Sequence, residues 1–342
     1  SQSDQQRSRY SRRSEIVSAE GIYRFRDDYF KYFADRVRLS VRFEIFRART
    51  HRRQREGLKT MKLCVDLGAT NVKSSLISDG KIIRSALTPT ITDHGIEGVT
   101  ESLRKSIDKL MNGDVSAVCI SSAGTIDSAE GKVIYATDNL PGYTGFEIVR
   151  WVKERYGLPC AALNDGHAAL LGEIFLDPAL RESRTAMLTL GSGVGGAYAV
   201  RGKIKADESN DYARFGHLPV EKDGVLCNCG RRGCAEQYLS GRAINRMAAK
   251  EGIGADKLFE EYASGNPIAQ KIVARLREYL CVLLREVEKT SPFDVCILGG
   301  GVTDGMKETF DAFIEGIPCD IRRAKAGNAA GMLGAYYFGK DL

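Results

Sequence analysis

The chain has 342 residues, of which 43% are hydrophobic and 27% charged, with a formal net charge of +6. That size suits one large domain or two lobes, and with no apolar run of membrane-spanning length and no secretory leader, neither a membrane partner nor export is expected. Of the nine cysteines, three are clustered, and Cys64, Cys119, Cys160, Cys281 and Cys296 sit in or beside apolar runs. This argues for reduced thiols and a cytoplasmic location over a disulfide scaffold.

The positive charge is local. Residues 1–60 carry 16 Lys and Arg against 8 Asp and Glu, whereas the remainder carries 34 against 36. This arm has no sustained helical stripe, only partial alternation such as Val37-Arg38-Leu39 and Val41-Arg42-Phe43. It reads in three ways: a basic nucleic-acid-binding arm, a transit-like segment, which its acidic residues disfavour, or sequence that is not native coding and not part of the fold. The third is preferred because Met61 is followed at once by an apolar strand. No helix–turn–helix pattern is present, so nucleic acid is not an expected partner.

Met61–Asp66 reads as that strand, and Val72–Ser78, Asp79-Gly80 and Lys81–Leu87 as a hairpin. The intervening turn, with Gly68 and Thr70, is able to offer backbone N–H groups and a hydroxyl to a phosphate. Asp66 at the strand end is able to hold Mg²⁺ through water. Taken alone, the turn is also compatible with any β-turn. Ile96–Leu110 has helical spacing, and Val115–Ile120 is a buried-type strand leading into Ser121-Ser122-Ala123-Gly124. Asp138-Asn139-Leu140-Pro141-Gly142-Tyr143 is by itself a Pro-Gly turn. Phe146–Tyr156 reads as a helix, Cys160–Leu163 as a strand, and Leu170–Leu176 as helical. Asn164-Asp165 lies at the strand-to-helix junction, where an Asp is most often an N-cap.

Thr185–Leu190 is a further strand. Gly191-Ser192-Gly193-Val194-Gly195-Gly196 satisfies G-x-G-x-x-G, and Asp211 even stands 20 residues after Gly191. A dinucleotide fingerprint requires a helix after the glycines. Here Ala197–Val200 reads as a strand, followed by a Gly202-Lys203 turn, which points instead to a second phosphate loop.

His217, Cys227, Cys229 and Cys234 follow the pattern H-x9-C-x-C-x4-C. One imidazole and three thiolates match a closed structural zinc site, with Gly230 and Gly233 at tight turns between the ligands. Leu239–Lys250, Ala255–Ala263 and Pro267–Lys289 show helical periodicity. Phe293–Leu298 is a strand feeding Gly299-Gly300-Gly301-Val302; Met306–Phe313 and Asn328–Phe338 read as helices.

The segment Gly216-His217 followed by Cys227-x-Cys-Gly-x-x-Gly-Cys-x-Glu236 resembles the zinc signature of the ROK family of bacterial sugar kinases and repressors. Asp66-Leu-Gly-Ala-Thr-Asn71-Val-Lys73 resembles the first phosphate loop of the wider actin-like sugar kinase superfamily. The resemblance extends over about residues 61–340. It implies an α/β, two-lobed actin-like ATPase (ribonuclease H-like) fold with a structural zinc knuckle. The expected lobes are 61–172, with 327–342 packing back on it, and 173–326.

It implies ATP- and Mg²⁺-dependent phosphorylation of a hexose or hexose derivative, with Asp165 as the base. ATP is expected against Asp66, Gly68, Thr70, Asn71 and Lys73, against Gly191, Ser192, Gly193 and Gly195, and against Gly299, Gly300 and Gly301. The sugar is expected against Asn139, Asn164, Asp165, His217 and Glu236. Zn²⁺ is expected on His217, Cys227, Cys229 and Cys234. A homodimer is also implied. The alternative within the resemblance is a non-catalytic sugar-responsive regulator.

Four positions depart from the family pattern, two of them conservatively: Tyr143 stands for Trp and Ser192 for Thr. His167 stands where relatives usually have Asn and is read as packing or capping. Arg214 stands where they usually have Glu; a guanidinium only donates hydrogen bonds, so a different or anionic sugar, or weakened catalysis, is implied. Asp207, Glu208 or Asp211 is placed to supply the missing carboxylate.

Overall fold

The computed structural model describes residues 60–205 and 214–342. The basic arm through residue 59, with all three of its readings, and Asp207, Glu208 and Asp211 lie outside the described residues.

Three antiparallel strands open the fold: β1 (Met61–Leu67), β2 (Asn71–Ser78) and β3 (Lys81–Pro89). The β2–β3 turn puts Asp79 at φ 49° and Gly80 at φ 75°, the doubly left-handed turn whose twist matches a two-residue hairpin. After α1 (Gly95–Asp108), β4 (Val115–Ser122) pairs parallel to β1. Every residue of β4 is buried, which explains its unbroken run of small and apolar side chains. A small hairpin of β5 (Thr125–Asp127) and β6 (Lys132–Tyr135) follows, then α2 (Ile148–Tyr156), which ends on Gly157 at φ 72°. Next, β7 (Cys160–Asn164) pairs parallel to β4, giving the order β3-β2-β1-β4-β7.

The chain then crosses to a second sheet through α3 (Asp165–Leu176). The boundary expected between residues 172 and 173 lies inside this continuous helix. The second sheet starts with β8 (Arg184–Leu190), β9 (Val194–Val200) and β10 (Lys203–Ile204). Four helices follow: α4 (Glu236–Leu239), α5 (Gly241–Lys250), α6 (Leu258–Ala263) and the long α7 (Pro267–Thr290). Then come β11 (Val295–Gly299), α8 (Gly301–Met306), α9 (Phe310–Ile314) and β12 (Asp320–Arg323). The order is β10-β9-β8-β11-β12, with β9 and β10 antiparallel and β11 and β12 parallel. Both sheets thus share one pattern of order and direction, so the same unit is built twice. Finally α10 (Ala330–Phe338) returns to pack on β1 and β4.

Each sheet has its own core, including Leu103, Ile120 and Tyr143 in the first and Leu188, Leu276 and Phe313 in the second. A third cluster lies between them along α3 and α10 and includes Leu163, Leu171, Ile297 and Leu333.

Several expected helices are shorter or split. The periodicity of Leu239–Lys250 is interrupted at Ser240, whose hydroxyl caps α5 by accepting from Ala243 N–H at 3.2 Å. The expected Met306–Phe313 helix is divided by a 3-10 turn in which Lys307 takes φ 44°. The expected helix from Asn328 begins at Ala330, after a 3-10 turn over Gly327–Ala329.

The α3–α10 crossing is a backbone-to-backbone contact. A Cβ on Gly172 would lie 2.5 Å from the Ala330 carbonyl oxygen, and one on Gly334 would lie 1.7 Å from that of Ala168. Gly334→Ala is therefore expected to cost about 1–3 kcal/mol in chemical denaturation by overpacking. Gly305→Ala, where a Cβ would meet nothing within 4 Å, is expected to be neutral or stabilising by up to about 1 kcal/mol through helix propensity. Equal effects of the two substitutions would refute the close crossing.

Candidate active site

A cavity of about 540 Å³ opens between the two sheets, within the size range of small-molecule sites. It brings together Asp66, Gly68 and Lys73 from the first hairpin, Asn164 and Asp165 from the β7–α3 junction, Gly195 from β9, and Gly299–Gly301 from the end of β11. The remaining expected residues do not line it. Thr70 and Asn71 lie on the far side of the first turn, where Gly68 N–H donates to the Asn71 carbonyl at 3.0 Å and Thr90 N–H to that of Thr70 at 2.9 Å. Asn139 is exposed in a turn. Tyr143 in the same segment is fully buried, stacks on Phe146 at 5.5 Å and shares a 3.0 Å hydrogen bond with Ser122. That segment therefore includes a core anchor.

Asn164 supplies the N-cap of α3, its Oδ1 accepting from His167 N–H at 3.1 Å. Its amide nitrogen donates to the Gly124 carbonyl at 2.7 Å and to Asp165 Oδ1 at 2.9 Å. With the cap filled by Asn164, Asp165 is spared the role its junction position suggests. Its other donor is its neighbour's Gly166 N–H, at 2.8 Å. The carboxylate is open to cleft water, yet protein from both sheets surrounds it. That burial, reinforced by the charge of Asp66, raises its pKa to about 6 against the lowering effect of its hydrogen bonds. Asp66 is also raised by burial, while the Ser121 hydroxyl, donating at 2.8 Å, and the charge of Lys73 pull it back. His167 is buried and held neutral, its pKa pushed down to about 4 by burial.

The second turn is shorter than its glycines suggest, since Gly195 and Gly196 belong to β9. Gly191, Ser192 and Gly193 form the turn itself. Gly241 N–H donates to the Gly191 carbonyl, and Arg242 to that of Ser192, both at 2.7 Å. Glu236 accepts from Val194 N–H at 3.2 Å, and a Cβ on Gly193 would lie 2.5 Å from its Oε2. Glu236 thus braces this turn.

Gly299 and Gly300 are glycines for packing reasons. A Cβ on Gly300, at φ 90°, would sit 2.6 Å from the Leu190 carbonyl oxygen, and one on Gly299 would press on Ala324 at 3.0 Å. Gly301, with nothing within 4 Å, faces open space.

The Arg214–His217 turn is seated against the start of β9. A Cβ on Gly216 would lie 2.0 Å from the Val194 carbonyl oxygen, and one on Gly196 would lie 2.5 Å from the Phe215 ring. One candidate ligand atom each from His217, Cys227, Cys229 and Cys234 lies within 4.8 Å of all the others. Cys227 Sγ is 3.6 Å from His217 Nδ1, and Cys229 Sγ is 3.6 Å from Cys234 Sγ. A tetrahedron with Zn–S near 2.3 Å and Zn–N near 2.0 Å has edges of about 3.8 and 3.5 Å, so these residues fit a zinc ion. Burial and the charges of Arg231 and Arg214 keep His217 below its ordinary range against the pull of Glu236, which favours the neutral imidazole that a metal requires.

Cavity residues outside the sequence motifs include Glu173, Asn328 and Gly331. Glu173 had a signal, being the lone acid in the apolar stretch Ala168–Leu176. A Cβ on Gly331 would lie 2.7 Å from Asp66 Oδ1 and 3.0 Å from Ser121 Oγ, an intrusion invisible to local sequence.

Folding raises the Asp165 pKa above its unfolded value, so ionisation destabilises the folded chain as pH rises from the ordinary aspartate range through about 6. Asp165→Asn is accordingly expected to be more thermostable than the wild type at pH 8, with the gain vanishing towards pH 4. A gain independent of pH would contradict the shifted carboxyl.

Comparison with known proteins identifies relatives along nearly all of the described chain. The model of the ROK family matches residues 62–341. An N-acetylmannosamine kinase of Escherichia fergusonii is 30% identical over 80% of this chain and 96% of its own. A ROK family glucokinase of Streptomyces griseus, solved with glucose and AMPPNP, superposes with TM-score 0.65 at 25% identity, covering 82% of this chain and 100% of its own. A ROK hexokinase of Thermus thermophilus gives TM-score 0.65 at 28% identity, covering 83% and 100%.

Proposed function

This chain belongs to the ROK family, and from that premise we propose that it is an ATP-dependent sugar kinase. It transfers the γ-phosphate to a hydroxyl of a hexose or hexose derivative. The observation that carries the reading is Asp165: a carboxylate relieved of capping, raised to about 6, in a cavity shared by the glycine-bearing turns of both sheets. The names of the relatives, an N-acetylmannosamine kinase, a glucokinase and a hexokinase, support the same class.

In this reading Asp165 accepts the proton of the acceptor hydroxyl as that oxygen attacks phosphorus. A pKa near 6 leaves it ionised at neutral pH while strengthening it as a base. Lys73 and the first turn face the phosphates, and Gly299–Gly301 the nucleoside. Asp66 would hold Mg²⁺ through water; the ion, when bound, neutralises charge on the transferred group. His217, Cys227, Cys229 and Cys234 would hold structural Zn²⁺, with Glu236 and Arg214 near enough for their charges to act on His217. Arg214 stands where the family pattern has a Glu and puts a cation beside His217, so acidic sugars belong among the candidate acceptors. A sugar-responsive regulator has no need of a relieved, pKa-shifted carboxylate, and the kinase reading is preferred for that reason.

Coupled ADP release by residues 61–342 with glucose, mannose, N-acetylmannosamine and acidic sugars tests the reading. Turnover is expected on at least one sugar, and Asp165→Asn should reduce it by at least about a hundredfold. A folded wild type inactive on all of them would transfer preference to the regulator. The wild-type kcat/KM should fall as pH drops through about 6, because protonation removes the base; a flat profile between pH 5 and 8 would exclude Asp165 from that role. Elemental analysis should find a single zinc ion per chain, lost in Cys234→Ser together with thermal stability; a stable, metal-free wild type would remove zinc from the proposal.

A further inference from the structure

Glu173 is a buried carboxylate for which the phosphotransfer reading has no use. It is 3% exposed, yet it lines the cavity two helical turns beyond Asp165, on the same face of α3. At 1.5 Å rise per residue that is about 12 Å along the axis, too far for the chemistry and on the side of Gly299–Gly301. Its charge is met by backbone donors. Lys325 N–H donates to Oε1 at 3.0 Å and to Oε2 at 2.9 Å, and Ala326 N–H donates to Oε1 at 2.8 Å.

Those two amides open the segment that leads from β12 back to α10. It is attached to the second sheet by Ala324 N–H on the Leu298 carbonyl at 2.8 Å. It turns at Gly327, φ 51°, and presents Ala324, Gly327, Asn328 and Ala330 to the cavity. From the first sheet, Lys73 Nζ donates to Asn328 Oδ1 at 3.4 Å. The chain passes between the sheets twice, outward through α3 and back through this segment, and Glu173 ties one passage to the other.

We propose that Glu173 is a positioning residue for the nucleotide. Its carboxylate clamps the 324–329 segment to α3, so that the nucleoside-side wall is preformed and moves with the helix that starts at Asp165. This inference rests on the kinase reading and deepens it by adding a residue that acts on ATP through the protein backbone. Glu173→Gln keeps the size of the side chain but removes the negative charge and replaces Oε2 by an NH₂ group opposed to Lys325 N–H, so the clamp loses one of its three bonds and is weakened.

The test is equilibrium binding of a non-hydrolysable ATP analogue, with steady-state kinetics on whichever sugar the wild type accepts. Glu173→Gln is expected to raise the analogue Kd and the KM for ATP about tenfold, in line with one lost charged hydrogen bond. The KM for the sugar and the acid limb near pH 6 should stay unchanged. A merely structural role would weaken both substrates alike, and that result would overturn the proposal, as would unchanged nucleotide binding. A wild type that binds no nucleotide would remove the kinase reading, and this inference with it. In the wild type itself, hydrogen–deuterium exchange provides a measure that does not depend on a variant folding. Residues 324–329 should be protected without nucleotide and slowed further by the analogue; exchange unaltered by the analogue would overturn the clamp.

Discussion

The structure depends on one contact, the crossing of α3 and α10 at backbone distance. Gly172 and Gly334 allow each helix to press on the other's carbonyl groups, an approach that no side chain would permit. Glycine inside a helix costs about 0.5–1 kcal/mol each in backbone entropy, so these positions must recover it through dispersion contacts in the third core cluster. The same two helices line the cavity at their starts. Asp165 opens α3, and Gly331, in the first turn of α10, gives way to Asp66 and Ser121. Packing between the sheets and placement of the two cleft carboxylates are therefore one geometric fact.

Four carboxylates line that cavity, Asp304 among them, and the surroundings of the other three separate them. Glu173 is satisfied by backbone N–H donors. Asp66 has the Ser121 hydroxyl and the nearby charge of Lys73. Asp165 has only neutral donors, with Asp66 repelling its charge. Burial works on both aspartates, but the cation is assigned to Asp66, so the base strength falls to Asp165. This is the pattern by which neighbouring acids are given different tasks. It follows from Asn164 taking the cap: had Asp165 capped α3, backbone N–H bonds would have drawn its pKa down.

Much of the fold is legible in the sequence because its signals are local. The Asp79-Gly80 turn demands two left-handed residues, and the buried run of β4 has a composition that only an enclosed strand tolerates. The rejection of a dinucleotide site rested on the strand after Gly191–Gly196, and β9 is that strand. β5, β6 and β12 leave little local signal because they are short, and β12, Asp320-Ile321-Arg322-Arg323, is also largely charged. Asp66, Lys73, Asp165 and Gly299–Gly301, singled out by local motifs, all line the cavity, but the packing that requires Gly300 comes from Leu190, 110 residues earlier in the chain. Gly331 and Glu173 depend on equally distant partners, and no periodicity records such contacts.

The segment from Arg214 to Glu236 poses a different physical problem. It is nearly devoid of regular structure, with single bridges pairing Pro219 with Cys234 and Leu226 with Arg232. Part of its order comes from side chains outside it. Arg275 and Tyr279 of α7 reach Glu221 at 3.0 and 3.1 Å, and Tyr238 accepts from Val225 N–H at 2.8 Å. Gly233 is forced against the Glu221 carbonyl, where a Cβ would stand 1.7 Å away. These bonds fix one end of the knuckle to the second sheet's core but leave Cys229 exposed. A tetrahedral ion with binding energy on the order of 10 kcal/mol would add a direct tie among His217 and the three cysteines. Its effect would not stop at the ligands. Cys234 is two residues from Glu236, which braces the Gly191–Gly193 turn, and His217 is the last residue of the turn seated on β9. The ion would thus convert folding energy into a fixed distance between the Gly191–Gly193 turn and the Arg214–His217 turn.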